Sequence, residues 1–158
     1  MTRPTAYIET TVIGHLVGRI LADPIVAGRQ SVTRQWWPNA TNRYRLFVSK
    51  VVADECGAGD PDAAKERLAV LDSLEFLATS PAVDELAWKL IAEFAVPNTE
   101  PRDAVHISLA AVNGLEYLVS WNFKHIVNPT TRSAIERVCR TAGFLPPIIC
   151  TPDELMEA

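Results

Sequence analysis

Five short segments rich in β-formers, Ala6-Tyr7-Ile8, Leu46-Phe47-Val48, Glu75-Phe76-Leu77, Tyr117-Leu118-Val119 and Pro147-Ile148-Ile149-Cys150, are separated along the chain by stretches with helical periodicity. Strands that alternate with helices pair in parallel, because each connection crosses over the sheet, and helices come to cover both faces. Tyr117-Leu118-Val119 lacks apolar–polar alternation, as a strand covered on both faces should. The expected fold class is therefore α/β, with a central, mostly parallel sheet of about five strands. At 158 residues, residues 1–158 are expected to form a single domain around one core.

Local signals mark the connecting helices. Thr10 and Thr11 can cap a helix starting near Val12, and the stretch from Pro24 to Asn42 carries one or two helices. Lys50–Cys56 reads as a short helix stopped by Gly57 and Gly59, and Asp60-Pro61 as a cap with proline at the first helical position. Ser80-Pro81 opens the clearest amphipathic stripe, Val83, Leu86, Ala87, Leu90, Ile91 and Phe94. Pro97 to Pro101 breaks it. Asp103–Val112 is apolar nearly all round, as a helix buried between sheet and neighbours should be. Ile135, Val138, Cys139 and Ala142 mark a last helix, and Thr151-Pro152-Asp153-Glu154 opens a C-terminal turn.

A formal charge of −4 makes the surface as a whole repel a polyanion, so any contact with nucleic acid must come from a local patch. The mostly apolar runs, such as Ala104–Val112, fall far short of the roughly 20 residues that cross a bilayer. No membrane association is expected. The opening MTRPTAYIET carries no apolar leader, which points to the cytoplasm. Cys56, Cys139 and Cys150 are odd in number and widely spaced, and read as reduced, buried small hydrophobes.

Glu9 directly follows the first strand, Asp54-Glu55 lies one short turn after the second, and Ser120-Trp121-Asn122 directly follows the fourth. In a parallel sheet these strand ends share one edge, where α/β folds place their ligands. Asp103, opening the buried helix, can reach the same place. Carboxylates about 4 Å apart at an effective dielectric near 20 repel by roughly 4 kcal/mol per pair, so either they protonate or a cation joins them. Oxygen-only ligands suit Mg²⁺ or Mn²⁺, and an ion so held can activate water against a phosphodiester. Singly, each residue has a structural alternative: Glu9 as a solvated strand end, Asp103 as a first-turn carboxylate favoured by the helix dipole, Asn122 as the close of a turn.

The segments YIETTVIG, FVSKVVADECGAGD, PRDAVHISLAAV and YLVSWNFKHIVN, with the closing PPIICTPDEL, resemble a PIN-domain protein of the VapC-like toxin type, in that family's order over nearly the full chain. The resemblance implies a three-layer α/β/α domain, an acidic pocket for Mg²⁺ or Mn²⁺, and metal-dependent endoribonuclease activity on an RNA substrate. It also implies a homodimer and a small antitoxin protein as partner. Glu9 then stands at the family's first acidic position, followed by Thr10 and Thr11. Glu55 takes the second and Asp103 the third, and Asn122 stands where many members have a fourth acid. Two departures follow. Glu9 is one methylene longer than the usual aspartate, moving its carboxylate by about 1.5 Å, and Asn122 is neutral. Weaker metal binding is the expected consequence, and a PIN-like module that holds RNA or protein without cutting is the alternative.

Thr10, Thr11 and Ser120 can hold a metal-bound water or simply cap a helix and close a turn. Lys124 and His125 can touch a substrate phosphate or lie in a solvated loop. His106, one turn after Asp103, reads as a core histidine, with the pocket as the alternative. No acid occurs between Pro24 and Ala53, while Arg29, Arg34, Arg43, Arg45 and Lys50 interleave with Trp36, Trp37 and Tyr44. Arg34 and Arg43 are therefore candidate RNA contacts, the alternative being helix packing with the tryptophans in a core or dimer interface.

Overall fold

The computed structural model describes residues 2–156. Its strands are β1 (Thr5–Ile8), β2 (Arg45–Ser49), β3 (Glu75–Leu77), β4 (Tyr117–Val119) and β5 (Ile148–Cys150), which form one sheet in the order β3-β2-β1-β4-β5 with every pair parallel. Helices α1 (Thr10–Leu16) and α2 (Pro24–Arg43) link β1 to β2, and α3 (Lys50–Cys56) and α4 (Pro61–Leu71) link β2 to β3. Helices α5 (Pro81–Ala92) and α6 (Pro101–Val112) lead to β4, and α7 (Pro129–Thr141) leads to β5. A 3₁₀ turn, Pro152–Leu155, follows. Right-handed connections running outward from β1 in opposite directions put the two helix groups on opposite faces. The packing agrees: α1 meets α2 and α4, α5 meets α6 and α7, and α3 reaches both α1 and α6. The result is a three-layer α/β/α, PIN-like architecture.

The three inner strands explain the lack of alternation. Ala6, Tyr7, Ile8, Val48, Leu118 and Val119 are completely buried, whichever face they point to. Each large apolar side chain so placed contributes roughly 1.5–3 kcal/mol. The two edge strands are three residues long and leave Phe76 and Ile148 largely exposed. Asp60 and Ser80 cap α4 and α5 from the residue before a first-turn proline, as the sequence leads one to expect, and Asn128 caps α7 in the same way. Among the described residues no helix is long and apolar enough to cross a membrane. The three cysteines are buried and unpaired, and burial pushes the thiols of Cys56 and Cys139 up to about 11 and that of Cys150 up to about 12.

Two elements differ from expectation, and a third, left open between one helix and two, is settled. Helix α1 starts at Thr10, two residues early, because Glu9 is its cap and both threonines lie in its first turn. The Pro24–Asn42 stretch is one continuous helix that tolerates Pro38, and it buries Gln30, Thr33, Trp36 and Ala40. Trp36 is thus a core residue, edge-on to Trp37 at 6.2 Å. Helix α5 ends at Ala92, before Phe94.

That last ending is a Schellman turn: Phe94 N donates to Ile91 O at 3.1 Å and Ala95 N to Leu90 O at 2.9 Å. It turns the chain back so that Ala95 and Val96 enter the core at 1% exposure. Phe94 takes the left-handed position, φ 63°, where glycine is usual, and its ring is 92% exposed. The conformation costs about 1 kcal/mol, and a solvated ring recovers none of it by packing. Phe94→Gly is therefore expected to raise stability by about 1 kcal/mol and the Tm by about 2–4 °C in thermal unfolding. A lowered Tm would mean that the ring supports the fold after all.

Candidate metal centre

Because β2 and β3 lie to one side of β1 and β4 and β5 to the other, the direction of winding reverses between β1 and β4. The crevice beyond the carboxyl ends of those two strands is where such sheets bind ligands. Glu9 is the first residue past β1, and Ser120, Trp121 and Asn122 are the first past β4.

Glu9 is 3% exposed, and three donors converge on its Oε1: the Thr11 backbone N at 3.2 Å, the Ser120 hydroxyl at 2.6 Å and the Thr11 hydroxyl. Both hydroxyls are oriented from behind. Ser120 Oγ accepts the Asn122 N–H at 2.9 Å and Thr11 Oγ1 accepts the Trp121 N–H at 2.8 Å, which leaves each hydroxyl proton for the carboxylate. Oε2 takes none of these bonds. Burial nevertheless dominates and raises the Glu9 pKa, against the charge of His106 and the Ser120 and Thr11 hydrogen bonds.

Glu55 projects from α3. Its Oε1 accepts from Thr10 Oγ1 at 2.7 Å and faces His106 Nε2 at 2.6 Å. Here burial, which alone would raise the pKa, is outweighed by the hydrogen bond and charge of His106, the Thr10 hydroxyl and the charge of Arg102, so the carboxyl titrates below its ordinary range. His106 is fully buried, and its Nδ1 lies 2.7 Å from the Tyr7 hydroxyl, which lies 2.8 Å from Ser49 Oγ. Ser49 Oγ in turn caps α3 by accepting the Val52 N–H. Ser49, Tyr7, His106 and Glu55 thus form one unbroken row of polar atoms at hydrogen-bond distance, and both ring nitrogens of His106 have a partner in it. Burial raises the pKa of Tyr7, which therefore stays a phenol and a donor.

One ligand atom each from Glu9, Glu55 and His106 lies within 4.8 Å of the others, a grouping able to hold a metal ion. Asp103 stands beside this group, in a second cluster. Its Oδ2 faces His125 Nδ1 at 2.9 Å and its Oδ1 accepts from Asn122 Nδ2 at 3.2 Å, while Asn122 Oδ1 accepts the His125 N–H at 3.1 Å. Burial raises the Asp103 pKa, opposed by those two hydrogen bonds and by the charges of His106 and His125. Ser120 joins the clusters, since it bonds both the Asn122 N–H and Glu9.

Of the residues singled out in the sequence, Glu9, Thr11 and Ser120 form one hydrogen-bonded set, Glu55 and Thr10 a second that meets it through the nearby carboxylate oxygens, and Asp103, Asn122 and His125 a third joined to the first through Ser120. Lys124 is exposed beside the third. Arg34 and Arg43 are elsewhere: Arg34 donates to the His15 carbonyl in the last turn of α1 at 3.4 Å and to the Gly18 carbonyl just past it at 2.7 Å, and Arg43 donates to Leu155 O at 3.4 Å and lies over the Tyr44 ring. Tyr7 and Ser49 were not among the sequence candidates. Ser49 carried a signal, as a capping residue directly before the Lys50 helix, whereas Tyr7 read only as a strand former.

The arrangement defines an α/β/α domain with an acidic, cation-compatible crevice at the sheet's carboxyl edge. Its fold is that of the PIN-domain VapC toxins. The chain superposes on VapBC2 from Rickettsia felis, solved bound to a DNA fragment from their promoter, with a TM-score of 0.59 over 93% of this chain and 98% of that one, at 13% identity. It also superposes on VapC20 from Mycobacterium tuberculosis, described as a Sarcin-Ricin loop cleaving toxin, with a TM-score of 0.55 over 89% and 97% of the two chains, at 16% identity. At these identities the likeness is one of fold. No sequence-family model and no curated protein sequence matches the chain.

The contrasting carboxyls give a test of opposite signs. Glu9, its pKa raised on folding, adds stability below its unfolded pKa and loses it as the pH rises through the folded value, so the ionised form is a burden at neutral pH. Glu55, its pKa lowered, adds stability above its unfolded pKa and loses it as the pH falls through the folded value. In metal-free buffer near neutrality, Glu9→Gln is expected to raise the Tm by a few degrees and Glu55→Gln to lower it by a similar amount, each corresponding to about 1 kcal/mol. Shifts of the same sign in both variants would contradict this assignment.

Proposed function

We propose that this protein is a metal-dependent endoribonuclease that hydrolyses RNA phosphodiester bonds in the cytoplasm as the toxin of a toxin–antitoxin pair. The observation that carries the reading is the gathering of Glu9 and Glu55 ligand atoms within 4.8 Å, with Asp103 in the adjoining cluster, at the strand ends where this fold takes its ligands. The fold likeness to a Sarcin-Ricin loop cleaving toxin and to VapBC2 supports a nuclease reading and a small antitoxin as partner. A homodimer is part of the same proposal.

The donor set fits a hard divalent ion, Mg²⁺ or Mn²⁺. The oxygens of Glu9 and Glu55 converge, and Glu9 Oε2 lies outside the hydrogen bonds that fix Oε1. Both nitrogens of His106 already have partners, so its part is to hold Glu55 rather than to replace an oxygen ligand. When bound, such an ion supplies an activated water and offsets charge on the phosphodiester. The chain's own residues do the rest. Thr11 and Ser120 fix Glu9, His106 and Thr10 fix Glu55, and His125 and Asn122 fix Asp103, so the carboxylates are oriented before substrate arrives. Lys124, exposed next to His125, offers a cation for a backbone phosphate. Arg34 and Arg43 hold backbone carbonyls, which favours a structural role for both.

The test uses purified protein and RNA in Mn²⁺. Asp103→Asn should reduce cleavage at least a hundredfold and keep its folded circular dichroism spectrum, while millimolar Mn²⁺ should raise the Tm of the wild type and raise it less in Glu9→Gln. Undiminished cleavage by Asp103→Asn, purified in parallel with the wild type, would end the reading. Absence of any Mn²⁺ shift would favour a module that binds without cutting.

A further inference from the structure

Between the end of α5 and the start of α7 runs a groove of about 500 Å³, lined by Phe94, Val96, Pro97, Asn98, Thr131 and His125. Three features set it apart from the other exposed apolar surfaces. Its wall is the left-handed, 92% exposed Phe94, a residue that the Schellman turn holds against its own backbone preference and that packs on nothing in return. His125 is one of its lining residues and its Nδ1 is 2.9 Å from Asp103 Oδ2, so the groove shares a residue with the acidic cluster. Asn98 is exposed at its rim, with an amide that can both donate and accept.

We propose that this groove takes one unpaired nucleobase of the RNA substrate, stacked on Phe94 and read along its edge by Asn98. The inference deepens the nuclease reading and rests on it. A phosphodiester lying at Asp103 and His125 carries a nucleoside on each side, and the one directed past His125 arrives in the groove. The volume lies within the roughly 300–1,000 Å³ of sites that enclose a small organic ligand, enough for a nucleoside and not for a helix. An exposed aromatic ring next to apolar flooring suits a base of any sequence, and only an unpaired base can swing out to reach it. Exposed Lys124, adjacent to His125, offers a cation to the phosphate that would link the groove to the crevice.

The experiment compares the wild type with Phe94→Gly, which relieves the backbone and should be at least as stable, and with Phe94→Trp, which keeps a stacking face. Fluorescence anisotropy with a labelled unpaired RNA oligonucleotide in EDTA reads the groove, and cleavage of the same RNA in Mn²⁺ reads the enzyme. Phe94→Gly is expected to weaken single-strand binding about tenfold and to raise KM in proportion, with the loss restored by Phe94→Trp and no change toward a duplex of the same sequence. Asn98→Ala is expected to flatten any preference among the four homopolymers. Unchanged affinity and KM in Phe94→Gly would overturn the proposal. So would a dimer, seen by light scattering, that dissociates in Phe94→Gly while RNA binding stays the same, since the ring would then belong to a contact between copies. Failure of the two readings is distinguishable: Phe94-dependent binding without any wild-type cleavage removes the nuclease and keeps the base site. Wild-type cleavage indifferent to Phe94 removes the base site and keeps the nuclease.

Discussion

The constraint on which the rest of the structure depends is a carboxylate buried at the end of the first strand. Glu9 caps α1 from its N-terminus, and through Thr11 and Ser120 it also fixes the backbone that leaves β4. One oxygen thus joins the start of the first helix to the far side of the point where the sheet reverses direction. A shorter side chain would cap the helix more readily, since Ser, Thr, Asp and Asn are preferred there and glutamate is not. The fold instead keeps an acid whose burial raises its pKa, an arrangement that makes sense where the charge has a use.

Around this anchor each carboxyl is handled by different chemistry. Glu9 is met by hydroxyls, Glu55 by a hydroxyl and an imidazole, and Asp103 by an imidazole and an amide. The repulsion expected of crowded acids is relieved partly by donors and partly by pKa values moved in opposite directions. The row from Ser49 through Tyr7 and His106 couples the cap of α3 to the acid that α3 carries, so backbone and site are positioned together.

Much of this was legible in the sequence because it is local. Strands without alternation, proline after a capping residue, and acids at strand ends each carry their meaning within a few residues, and together they gave the layers and the convergence of Glu9 with Glu55. What failed to show was set by packing. A helix buried nearly all round has neighbours in every direction, so the spacing of Asp103 and His106 could not reveal that the histidine faces Glu55. Arg34 and Arg43 read as candidate RNA contacts, and the backbone carbonyls that hold them belong to residues well separated in the chain and so invisible to a local pattern. Phe94 has the right period for the apolar stripe of α5, yet the burial of Ala95 and Val96 ends the helix first and turns the ring outward. In each case a long-range contact overrode a pattern that was locally correct.

The brevity of β3 and β5 has a consequence for assembly. With three residues apiece, and with Phe76 and Ile148 turned to solvent, the sheet's two margins present greasy side chains but almost no main-chain ladder. A guest strand added there would gain too few amide bonds to stay, which protects the molecule from templated, fibre-like growth. Stable union with another chain, of the same or a different kind, has to be written in side chains on the helical layers.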